Sequence, residues 1–151
     1  RKLNQARKTT VSLDTVATAD GSAYATVGGT SVLAAVTAEL GPPPKEGQSQ
    51  VILNVMLSPL CSPKYRSGPP PDEAHVLQES LESFIKSADM LSPSQLVIVP
   101  GMYSWYLYAD LQCLNHDGAL FDVCALALTS ALAATRLPLT RFDEDTEEVV
   151  I

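Results

Sequence analysis

Histidine and cysteine are scarce in this 151-residue chain: two of the first, three of the second, and no Cys-x-x-Cys pair. That leaves no zinc ligand set. An odd number of thiols also argues against a disulfide framework and for a reducing compartment. Cations are outnumbered, ten Lys and Arg against seventeen Asp and Glu, giving a formal net charge of −7. A chain that acidic does not coat nucleic acid through bulk charge. The longest apolar run, Ala119 to Ala134, contains Asp122, Thr129 and Ser130, and is too short and too polar for a membrane span. No basic-then-apolar leader is present, so no signal peptide is expected. What is there is an ordinary globular composition, 46% apolar and 18% charged, in a chain long enough for one domain with a real core.

The charge is concentrated at the ends. Arg1, Lys2, Arg7 and Lys8 occupy the first eight residues with no acid among them. Asp143, Glu144, Asp145, Glu147 and Glu148 occupy the last nine with no base. Removing these five acids from −7 leaves −2, so the body of the chain is close to neutral. The tail reads either as a solvated end or as the lead-in to a further strand beginning in Glu-Glu-Val-Val-Ile.

Alternation of period two predicts strands over Thr9 to Ala17 and from Ser22 to Val27. Asp20-Gly21 and Gly28-Gly29 are the turn signals around them, since Gly accepts positive φ. Thr30 to Glu39 is nearly all apolar and reads as a strand covered on both faces. Pro42-Pro43-Pro44 opens a polar loop, because proline gives no ladder donor. Val51 to Leu57 reads as a fourth strand. A second irregular stretch, Ser58 to Pro71, holds five prolines with Lys64, Tyr65, Arg66 and Gly68.

A helix is predicted from Pro71, with Asp72 and Glu73 at its positive end and Ala74, Leu77, Leu81, Phe84, Ile85 and Ala88 on one face. Ser92-Pro93 is its predicted stop. Gln95 to Val99 suits a short strand. Met102 to Leu114 alternates, with Trp105, Leu107, Ala109, Leu111 and Cys113 on one face and Tyr106, Tyr108, Asp110 and Gln112 on the other. After the Asn115–Gly118 turn, Ala119 to Ala134 is apolar all round, the mark of a buried helix. The order is that of an α+β fold.

Among candidate chemical groups, Asp110, Asp117 and Asp122 gather near the last helix start, as an acid–base or metal cluster or, more simply, with Asp117 capping the helix or making an Asx turn and Asp122 a first-turn acid. His75 falls in the first turn of an amphipathic helix. His116 beside Asp117 suggests a dyad, but no nucleophile motif accompanies it. Cys61, Cys113 and Cys124 read as buried thiols. Lys64 and Arg66 flank Tyr65 in the Pro/Gly-rich loop. There, two cations can grip phosphates and a ring can stack a base, or the loop is ordinary surface.

Three segments together resemble the ribonuclease PH family, and within it the non-catalytic ring subunits of the RNA exosome core. They are Thr18–Ala23 with Gly28-Gly29-Thr30 and Val36–Glu39; the loop Leu60–Pro70 followed by Asp72-Glu73; and Tyr108–Leu111 through Asp117-Gly118 and Asp122 to Leu126. The resemblance implies a fold like domain 2 of ribosomal protein S5, a mostly antiparallel sheet on helices with a left-handed βαβ crossover, an exception to the usual hand. It implies that residues 1–151 are one domain, the N-terminal half of a pseudo-symmetric pair, with the second half outside this chain.

Active members of the family cleave RNA with phosphate and carry Asp-Gly-Gly-Thr-Arg at the head of the buried helix, a sequence suited to an anion. Here the stretch is Asp117-Gly118-Ala119-Leu120-Phe121, without the second glycine, the hydroxyl or the arginine. Gly118, Ala119, Leu120 and Phe121 are therefore expected to be a degenerate phosphate site. The expected protein has no catalytic residue, metal or cofactor of its own. Lys64 and Arg66 are its RNA contacts. Its partners are RNA, similar subunits in a six-membered ring, S1/KH-type cap subunits and a separate nuclease, with no membrane. Its location is the nucleus, nucleolus and cytoplasm. The alternatives are an active phosphorolytic exoribonuclease of the same family and an unrelated α+β interaction module.

Overall fold

A computed structural model of the chain describes residues 4–143 and 148–150. Arg1 and Lys2 of the basic start, and Glu144, Asp145, Glu147 and Ile151 of the acidic end, lie outside the described residues. Thr9–Leu13 (β1), Gly21–Val27 (β2) and Thr30–Gly41 (β3) are consecutive antiparallel strands, as the alternation predicts. β1 stops short of Ala17, because Asp14 takes a left-handed φ of 53° and carries the chain off the sheet.

Asp20-Gly21 is not the turn predicted from its sequence. Gly21 opens β2 without a positive φ. Its lack of a side chain answers crowding: a Cβ there would stand 2.3 Å from Thr135 Oγ1 and 2.7 Å from Ala131 O. Asp20 pins the connection to β3 by accepting the Ala38 N–H at Oδ2, 2.8 Å away. Gly28-Gly29 is a true two-residue hairpin loop, with Gly28 at φ 61°.

Val51–Met56 (β4) leads into Asp72–Ser87 (α1), Val97–Val99 (β5), Tyr103–Asn115 (β6) and Leu120–Ala134 (α2). The main sheet has the order β1-β2-β3-β6-β4, with β5 on the start of β6. β4 runs parallel to β6, and α1 makes the crossover between them. Arg141–Asp143 (β7) and Glu148–Val150 (β8) pair separately, so a strand does begin in the acidic end. α1 ends at Ser87, before the predicted Ser92-Pro93 stop. Ser92 and Gln95 instead form a capping box on the 3-10 turn Pro93–Gln95.

Both helices pack on one face of the sheet, giving two layers. The inner face carries Ala23, Ala25, Val32, Ala34, Val36, Leu53, Val55, Leu107, Ala109, Leu111 and Cys113, all buried. Against it lie Leu77, Leu81 and Ile85 of α1 and Val123, Cys124, Ala127, Leu128 and Ala131 of α2. The outer face is not covered to the same degree. Leu33, Ala35 and Thr37 of β3 are only half-buried there, which corrects the expectation of a strand enclosed on both sides. α2 differs from its prediction in the same way. Its inner stripe is fully buried, but Phe121, Asp122 and Ala133 are exposed and Ala125, Leu126, Thr129, Ser130 and Leu132 are half-exposed. Its composition is apolar all round; its burial is one-sided.

Candidate functional site

The loop between β4 and α1 carries the predicted cations. Lys64 reaches forward to the first turn of α1, where its Nζ lies 3.0 and 3.2 Å from the two carboxylate oxygens of Glu73. The same ammonium sits 4.7 Å above the centre of the Tyr65 ring. The hydrogen bond from Lys64 holds the Glu73 carboxyl below its ordinary value of 4.5. Arg66 is exposed, and among the described residues it has neither a hydrogen bond nor an ion pair. Sequence proximity therefore overstates the likeness of the two cations: one charge is matched by a carboxylate and the other is open.

Tyr65 cannot stack a base. It is only 6% exposed and packs inside the loop, nearly parallel to the His116 ring with centroids 6.3 Å apart. Burial raises its hydroxyl pKa above 10. The Tyr65 hydroxyl and His116 Nδ1 are both buried, with no hydrogen-bond partner among the described residues. His116 thus makes no dyad with Asp117; its backbone N–H bonds Cys61 O at 3.0 Å and fastens the loop to the end of β6.

The three aspartates do not converge. Asp110 accepts a bond from Asn54 Nδ2 at 3.0 Å on the outer sheet face. Asp122 is an exposed first-turn acid. Asp117 does not cap α2, whose start has no side-chain cap bond; its carboxylate packs against Gly29, where a Cβ would stand 2.6 Å from Oδ2. Among the described residues no group of three His, Cys, Asp or Glu is placed to hold a metal ion. Cys61, Cys113 and Cys124 are free and buried. Burial pushes the Cys113 and Cys124 thiols up to about 12, with Cys61 adding to the shift at Cys113, so both stay protonated and unreactive at neutral pH. His75 is exposed on α1.

The turn at the head of α2 takes two successive left-handed residues. Gly118 has φ 83°, and Ala119, at φ 51° and ψ 36°, adopts the left-handed geometry natural to glycine. Leu120 is buried, and Phe121 is 39% exposed with its ring edge-on to Phe84 at 6.2 Å. Thr30 secures this turn from the β2–β3 hairpin. Its hydroxyl donates to Gly118 O at 2.6 Å and accepts the Asp117 N–H at 2.8 Å. Arg7, lying over Gly28, donates from Nη1 to Asp117 O at 3.4 Å. Sequence reasoning missed Thr30 and Arg7. Each lies more than eighty residues from the turn it holds, and it is the β1–β2–β3–β6 pairing that brings them together.

Comparison with known proteins agrees with this geometry. The family model RNase_PH, the 3' exoribonuclease family, domain 1, matches residues 5–138. The exosome complex component rrp43 of Schizosaccharomyces pombe is 35% identical over 154 aligned residues, covering 99% of this chain and 56% of that protein. The exosome complex component Rrp42 of Thermococcus gammatolerans is 35% identical over 134, covering 87% of this chain and 49% of that protein. A chain of the Archaeoglobus fulgidus exosome with RNA bound to the active site superposes with a TM-score of 0.82 at 31% identity, over 91% of this chain and 55% of its own. The chain thus spans about half the length of the curated relatives it matches. With a family match over residues 5–138, relatives 35% identical over nearly the whole chain and the α+β fold in common, the chain belongs to the 3' exoribonuclease family of RNase PH domains.

Proposed function

We propose that this chain is the N-terminal half of a ring subunit of an RNA exosome core, one that helps build the ring and guide RNA without cleaving it. The observation that carries this reading is the turn at the head of α2. Gly118 and Ala119 hold left-handed backbone there, but Leu120 is turned into the core and Phe121 packs on Phe84, where active family members carry a hydroxyl and an arginine. A phenyl ring offers a phosphate neither charge nor a hydrogen bond. In this reading the partners are RNA, RNase PH-like neighbours in a six-membered ring, cap subunits and a separate nuclease, acting in the nucleus, nucleolus and cytoplasm. Arg66 meets RNA phosphates as an open cation, and Lys64 joins it where phosphate competes with Glu73.

One observation favours the enzymatic alternative: Arg7 brings a guanidinium to the same turn. Its hydrogen bond is to the Asp117 carbonyl, which suits a brace for the turn. An assay for phosphate-dependent release of nucleoside diphosphates from single-stranded RNA separates the two readings. No release above background is expected from the purified protein; robust release abolished by Arg7→Ala would overturn the non-catalytic reading.

A further inference from the structure

Arg66 stands between two neighbouring hollows. One, of about 420 Å³, lies on the Lys64 side of the loop. The other, of about 360 Å³, opens where the loop meets the outer face of the sheet and is lined by Met56, Ser58, Pro59, Pro70 and Gln112 together with Arg66. Both are at the small end of the range for ligand sites. Met56 and Gln112 are cross-strand partners, and Met56 is 41% exposed. Gln112 Nε2 donates to Ser58 Oγ at 3.4 Å and to Cys113 O at 3.2 Å. This fixes the amide and leaves its Oε1 acceptor without a partner among the described residues.

We propose that the Met56–Gln112 hollow is a nucleobase subsite, in which Arg66 holds the phosphate of a single-stranded RNA nucleotide while its base lies on Met56 and the flanking prolines. The proposal rests on the reading that this chain contacts RNA, and adds where the base goes. An open guanidinium suits the phosphate oxygens. The apolar floor covers a base face without an aromatic ring, which Tyr65 cannot supply from inside the loop. Gln112 Oε1 is an acceptor for a base amino or imino N–H, the kind of edge contact by which unpaired bases are read. Charge also favours RNA over an acidic peptide as the test's first probe, because the floor offers an extended acidic chain nothing beyond the single cation.

The test uses the protein in its native assembly and a single-stranded RNA carrying 4-thiouridine, with affinity measured across a salt series. Arg66→Ala should weaken binding and reduce the slope of log affinity against log salt by about one, as expected for one lost phosphate contact. Met56→Ala, which removes the side chain on which the base would lie, should weaken binding roughly tenfold, the scale of one good base contact, and leave the salt slope unchanged. Photocrosslinks should fall on the peptides containing Met56 and Gln112. If Arg66→Ala acts as stated but Met56→Ala binds normally and crosslinks fall elsewhere, the base subsite is wrong and the phosphate contact stands. If neither variant changes binding, the RNA contact of this loop is wrong as well. Unchanged melting temperatures in both variants exclude misfolding as the cause of a loss.

Discussion

Ala119 holds φ 51° and ψ 36° at the N-terminus of α2, a conformation that costs an L-residue about 1–2 kcal/mol. Replacing it with glycine removes that cost but adds about 0.4–1 kcal/mol of unfolded-state entropy. Ala119→Gly is therefore expected to stabilise the chain by about 0.5–1 kcal/mol, read as a raised midpoint in chemical denaturation with unchanged slope. Gly21 is the converse case. Its φ is ordinary, but α2 and the residue after it press so closely that a Cβ would meet the backbone of Ala131 and Thr135. A flexible side chain could give way, whereas backbone carbonyl and Cα atoms cannot without shifting the helix end. Gly21→Ala is expected to destabilise the chain by about 1–3 kcal/mol, the usual cost of overpacking, in the same denaturation experiment. A variant whose midpoint matches that of the unaltered chain would refute the assignment it tests.

At the scale of elements, the strands and α1 were legible because their apolar spacing is strict. β6 alternates over thirteen residues, and α1 repeats at three and four. What could not be read is set by partners distant in sequence. The parallel pairing of β4 with β6 leaves no mark in either strand, since Leu53 and Val55 alternate as they would in an antiparallel pair. α2 shows why composition is a poor guide to burial. Its outer stripe is as apolar as its inner one, yet only the inner one meets the sheet. The candidate loop was half legible. Two cations flanking a ring are visible in sequence, but the capture of Lys64 by Glu73 and of Tyr65 by His116 depends on where α1 begins and where β6 ends. The missing arginine after Gly118 was plain from the sequence, whereas the left-handed backbone at Ala119 was not.

For the molecule as a whole, the one-sided burial of α2 matters more than its net charge. Five of the acids that set the value of −7 lie in the last nine residues, and a near-neutral body is compatible with a local cation site at Arg66. The flank of α2 carrying Phe121, Ala125 and Leu132 starts at the Phe84–Phe121 contact with α1 and is left partly open. The matched relatives are about twice as long, and the rest of such a protein is proposed to pack here. The 151-residue chain studied alone is then expected to bury this flank against itself, because contiguous apolar surface associates in water. Phe121→Glu tests this with little cost to α2 itself, since a carboxylate suits the positive end of a helix. The cost is confined to the Phe84 contact and is about 0.5–1.5 kcal/mol beyond the area lost. In sedimentation velocity the unaltered chain should form concentration-dependent oligomers, and the Phe121→Glu chain should shift towards monomer. A chain that remains monomeric at every concentration, with Phe121 in place, would show that the open flank is not an interface.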